Sequence, residues 1–207
     1  MQSPEATVVG ASLVSFIPGV TLAQRQAVKL AALWAESTTV RAMAGKPAAE
    51  QYHYYRRQLK YLGWDATSAE EVHWPDPQRP AIVDQALRKI DALAGERHSN
   101  SMALAFQALR KGGLALLHFE LRSREHGAFK LLSCAPMGAN SVDMVIYHEA
   151  GSGSHLTAGF LFRQRSNSHV YAELVRFNTR LFDQEHRSKV LRATEKISLE
   201  EIHAAQI

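Results

Sequence analysis

The chain has 207 residues, enough for one domain with a real core and short for two. Hydrophobic residues make up 46% and charged residues 21%, a balance that excludes both intrinsic disorder and a membrane-embedded protein. The formal net charge of +4 is too small to imply a nucleic-acid partner unless the basic residues cluster.

Residues Thr7 to Leu22 read TVVGASLVSFIPGVTL, an apolar stretch without a charge. Only Glu5 precedes it where a secretory signal would carry Lys or Arg. At sixteen residues, broken by Pro18-Gly19, it is too short for a bilayer span. Residues 1–20 therefore read as an apolar strand or arm that packs on the body, or that touches a partner or a lipid surface. Val9, Leu13, Phe16 and Ile17 are its candidate contact residues. Cys134 is the single cysteine, so no intramolecular disulfide forms. The expected location is cytoplasmic, with export by a signal-independent route left open.

Residues 21–112 read as a helical part. Thr21-Leu-Ala-Gln24 matches a capping box, and an alanine-rich first helix follows to about Thr38. Pro47 suits a first helical position, and Gly63 is placed to stop the second helix. Tyr52, Tyr55, Leu59 and Leu62 share one face of it. Pro80 opens a third helix with Ile82, Ala86 and Ile90 in line, and Gly95 ends it. Ser99 or Asn100 caps a fourth, which ends at Gly112-Gly113.

From Leu114 the apolar residues come in short runs divided by Gly, Ser and Asn clusters. Segments 114–122, 128–135, 142–149, 156–164 and 169–177 read as strands joined by short connections, which favours antiparallel neighbours. A last helix is expected over 182–194, and the tail from Glu195 is polar. The expected fold is a single α+β domain over 1–207. In it an N-terminal four-helix segment packs on a C-terminal antiparallel meander of about five strands, 114–178, with a final helix.

The segment Gln51 to Trp64, QYHYYRRQLKYLGW, resembles a pattern in an uncharacterised bacterial family of about this size. Its members share a tyrosine-rich helix ending in a hydrophobic-Gly-Trp sequence, then a long apolar helix, then a Ser-Cys in the second strand of a meander. Here those are Ile82 to Ala94 and Ser133-Cys134. The resemblance implies a pattern of elements and carries no activity.

No motif names a chemistry. His148-Glu149 and His155 have neither the spacing nor the helix of a zinc peptidase, so a surface turn is expected there and no metal. Gly151-Ser-Gly-Ser154 lacks the Lys-Ser/Thr ending of a phosphate loop and reads as a hairpin turn. His118 and Glu120 fall on one side of the first expected strand, facing solvent, with Leu117, Phe119 and Leu121 on the core side. An enzyme reading would start from His118, Glu120 and Cys134. Cys134 itself, beside Leu131, Leu132 and Ala135, reads as a buried structural cysteine, with a reactive or acylated thiol as the functional alternative. Arg56, Arg57 and Lys60 form a basic group on the second helix that suits an anionic surface.

These features point to a non-enzymatic protein that acts through its surfaces, by binding or by self-assembly. The alternative is a membrane-active secreted factor of virulence or toxin type. A protein partner or self-association is expected first and an anionic membrane second. No nucleic acid, small-molecule substrate, catalytic residue or cofactor is implied.

Overall fold

The computed structural model describes residues 4–75, 78–111, 113–151, 159–163 and 167–205. The chain opens with a hairpin, β1 (Glu5–Val9) and β2 (Ser12–Phe16), followed by α1 (Leu22–Ala42) and α2 (Ala48–Tyr61). Two short strands come next, β3 (Trp64–Ala66) and β4 (Glu70–Trp74), then α3 (Ile82–Ala94), α4 (Glu96–Lys111) and α5 (Gly113–His126). The long strands β5 (Ala128–Pro136), β6 (Ser141–Gly151) and β7 (Ser168–Asn178) complete the sheet centre. A helical run then passes through α6 (Thr179–Leu181), a wide π turn (Phe182–His186) and α7 (Arg187–Glu201), and β8 (Ile202–Ala205) closes the chain.

The eight strands form one mixed sheet in the order β3-β7-β6-β5-β2-β1-β8, with β4 also on β7. This overturns the expected antiparallel meander behind a four-helix segment: the helices are spread through the chain, and β2 lies parallel to β5. Parallel neighbours need a long crossover, and everything from α1 to α5 supplies it here. The sheet is covered on both sides. Leu132, Cys134, Met144 and Ile146 point to the side of α1, α2 and α7, while Phe129, Leu131, Val145 and Tyr147 point to the side of α3, α4 and α5.

Three local outcomes follow. The apolar segment forms strands inside the sheet and is not a partner or lipid contact: Val9, Leu13 and Phe16 are fully buried and Ile17 is 4% exposed. A strand covered on both faces reads as a continuous apolar run, which is why TVVGASLV lacks alternation. Segment 114–122 is helix α5, not a strand. The alternation of Leu117, Phe119 and Leu121 misleads; the buried positions are Ala115, Phe119 and Ser123, four apart, in a stretch rich in strong helix formers. The described part of the expected strand 156–164 holds a 3₁₀ turn, Phe160–Phe162, and the rest of that segment, like Ser152 to Ser154 and His155, lies outside the described residues.

Other signals hold. Thr21 and Gln24 make the reciprocal capping box, and Gly95 adopts a left-handed conformation (φ +83) after α3. On the α3 side, Arg79 donates to both oxygens of Glu149 at 2.8 and 3.1 Å and also to Ser168, which ties the approach to α3 onto β6 and β7. Both side chains of that ion pair are fully buried, so their mutual neutralisation is what makes the burial tolerable.

Removing residues 1–20 takes out two strands and bares the edge of β5. The truncated chain is expected to lose its cooperative thermal transition when followed by circular dichroism. A transition left in place would mean that the arm merely rests on a finished body.

Candidate functional site

The strands that build the α1–α2 face carry a polar row at one level. Pairing places Ser12 of β2 beside Lys130 of β5, Lys130 beside His148 of β6, His148 beside Tyr171 of β7, and Tyr171 beside Glu71 of β4. Lys130 and His148 are buried in this row. A charge inside a sandwich needs a partner, and α1 brings it: Glu36.

Glu36 accepts hydrogen bonds from the Ala11 amide at 2.6 Å and the Ser12 hydroxyl at 3.0 Å. Lys130 Nζ lies 3.1 Å from its second oxygen, and His126 Nδ1 of α5 lies 3.4 Å from the first. Burial pushes this carboxyl up, but Lys130, His126 and the Ala11 amide together outweigh it and hold it below the ordinary value. The approach requires Gly10. Its φ is +54, and a Cβ there would lie 2.3 Å from Glu36 Oε1.

Helix α2 roofs the rest of the row. Tyr52 stacks on Tyr171 and lies 4.7 Å from the His148 ring, while its hydroxyl donates to buried Glu173 at 2.6 Å. Arg56 donates to the same carboxylate at 2.7 Å. Tyr55 presents its ring face to Lys130 Nζ at 4.9 Å. His148 Nδ1 is buried with no hydrogen-bond partner among the described residues. Burial first, and the Lys130 charge second, push its pKa well below the ordinary value. Burial likewise lowers His126, against the opposing pull of Glu36.

Two cavities meet at Glu36, Val40 and His126. The inner one, about 20 Å³, lies among Tyr52, Tyr55, Lys130 and His148, with room for a single water-sized group. The outer one, about 320 Å³, opens between α1, α5 and α7. Leu33, Val40, Ala193 and Ile197 supply an apolar wall, Glu36 and His126 stand at its floor, and Arg41 and Arg122 line it nearer to solvent. Arg122 is bound to Glu201 and Glu125.

The residues singled out from the sequence are not brought together. His118 lies on α5 with Nε2 3.1 Å from Glu201, Glu120 accepts from the Gly159 amide at 2.6 Å, and Cys134 is buried in the apolar cluster with Leu132 and Met144. Burial pushes the Cys134 thiol well up, away from the reactive thiolate form. Of the basic group, Arg56 is held by Glu173, Arg57 lies over the Tyr54 ring at 5.2 Å, and Lys60 is exposed. Val9, Leu13, Phe16 and Ile17 contact the protein's own core. His148 and Glu149 are buried on opposite faces of β6, not on a surface turn. Glu36, His126 and Lys130 carry no motif. Their trace in the sequence is a lone charge in each of two apolar segments, ALWAES and AFKLLSC.

Among the described residues no group of three or more His, Cys, Asp or Glu is arranged to hold a metal ion, and no helix is long and apolar enough to cross a membrane. No family model matches the chain, and no curated protein matches it. Among solved structures, the Evf virulence factor is similar over 91% of this chain and 82% of that one, at 11% identity and a TM-score of 0.37. A likeness that weak carries no argument about function.

The buried titratable groups make stability depend on pH with a definite sign. His148 and His126 have folded pKa values below their ordinary 6.5, so the unfolded chain binds protons that the folded chain refuses. Stability is complete above about pH 6.5 and falls as pH drops below it. Glu36, lowered from 4.5, adds a further loss once pH falls below that value. Urea midpoints are expected to decline from about pH 6.5 to about pH 5. His148→Gln is expected to flatten that decline; an unchanged slope would remove His148 from the account.

Proposed function

We propose that this protein is a non-enzymatic binding protein that holds a small, largely apolar ligand in the pocket between α1, α5 and α7. The observation that supports this reading is the cavity of about 320 Å³, an apolar wall ending at a few convergent polar groups. That combination, at the low end of ligand-site volumes, is the usual form of a small-molecule site. Glu36, at its floor, supports binding over catalysis: both of its oxygens are already engaged by donors of the chain itself, Ala11, Ser12 and the Lys130 that lines the inner cavity.

The neutral fluorescent probe N-phenyl-1-naphthylamine tests the pocket. Ala193 is exposed on α7 and lines the cavity, so Ala193→Phe fills the space without disturbing the core. The variant is expected to bind the probe roughly tenfold more weakly than the parent, with an unchanged melting temperature. No probe binding to the parent, or equal binding to both, would reject the pocket as a ligand site.

A second reading, association with a protein partner or with another copy, draws on a different surface. Leu114, Leu117 and Leu121 of α5 are 78%, 63% and 41% exposed and recur at helical spacing, so they form one apolar stripe. Sedimentation over a range of concentrations is expected to show a dimer that Leu117→Glu with Leu121→Glu converts to monomer. A parent protein that stays monomeric throughout removes self-association from this reading.

A further inference from the structure

Not every charged side chain that lines the outer pocket has a partner of opposite charge among the described residues. Glu36 is matched by Lys130 at 3.1 Å. Glu201 is held by Arg122, which it shares with Glu125, and His118 Nε2 lies 3.1 Å from Glu201 Oε2. Arg41 is left. It lies in the last turn of α1, is exposed, and has no carboxylate partner among the described residues. Its Nε donates to the Ser37 carbonyl at 3.4 Å, a long contact that ties the side chain back along α1 and leaves the terminal guanidinium nitrogens without a partner among the described residues. Guanidinium presents a planar pair of donors that matches a carboxylate.

We infer that the ligand of this pocket is a small monocarboxylate with a compact apolar body, its acid group held by Arg41 and its body against Leu33, Val40, Ala193 and Ile197. This rests on the pocket being a ligand site. Each part of the ligand follows from a part of the wall. A cation would meet Arg41 and Arg122. A dianion would place its second charge beside Glu36 and Glu201, whose own partners are already committed. A neutral polar molecule would leave Leu33, Val40 and Ile197 facing groups that prefer water. A monoanion with an apolar body satisfies all three surfaces at once.

Paired probes of equal shape test it: 2-naphthoate and its neutral counterpart 2-naphthalenemethanol, each measured by calorimetry on the full chain. The acid is expected to bind the parent roughly tenfold more tightly than the alcohol, the gain of one charge-assisted bidentate contact. Arg41→Gln is expected to erase that preference while leaving the alcohol's affinity and the melting temperature unchanged, and Arg41→Lys to restore part of it. The preference is also expected to shrink as salt is raised. Equal binding of both probes to the parent, or a preference that survives Arg41→Gln, overturns the inference while leaving the pocket standing, provided that Ala193→Phe weakens both. Binding of neither probe, or binding that Ala193→Phe does not affect, overturns the pocket reading and the inference with it.

Discussion

A carboxylate buried under α1 decides how the two ends of this fold meet. Glu36 touches the β1–β2 turn through the Ala11 amide and Ser12, the centre of the sheet through Lys130, and the end of α5 through His126. Those three contacts come from segments far apart in the chain. An ionised group without them would cost several kcal/mol to bury, so the carboxylate and its donors must assemble together. The turn must also come close enough to be held, which Gly10 permits and a side chain would prevent. The hairpin is thereby locked beside β5, the pairing that makes the sheet mixed.

The same interaction creates the site. Lys130 is tolerated inside this face because Glu36 and the Tyr55 ring provide for it, and Tyr52 covers the His148 ring. Glu36 and His126 stand at the floor of the space between α1, α5 and α7, and the apolar flanks of α1 and α7 line it. The opposite face solves its own problem separately: Arg79 and Glu149 neutralise one another, with Tyr147 bonded to Glu149 and Ser168 to Arg79. The two faces thus differ. One buries a closed ion pair, and the other leaves its charged cluster next to an opening.

Helices with strong local signals were legible in the sequence. The capping box at Thr21, the stop at Gly63 and the stripe of Ile82, Ala86 and Ile90 depend on neighbours within a turn or two, so a local reading suffices. Helix α5 was misread because its exposed leucines imitate a core pattern. With Leu114 and Leu117 mostly exposed, hydrophobicity no longer marks the buried face. Strands β3, β4 and β8 are short and partly polar, and each exists because a partner strand, β7 or β1, is there to receive it.

The candidate site was illegible for a stronger reason. Glu36, Lys130 and His126 come from separate elements, and a lone charge in an apolar segment does not say which counter-charge it meets. Composition, period and capping determined that the chain builds both helices and strands, where α1 begins, and where α2 and α3 lie, because those properties are local. Which strands are neighbours, that β2 runs parallel to β5, and that a lone glutamate on α1 meets a lone lysine on β5 were decided only by tertiary structure. A buried charge is stable only where distant segments bring its counter-charge, and that juxtaposition has no trace in any stretch of sequence short enough to read by itself.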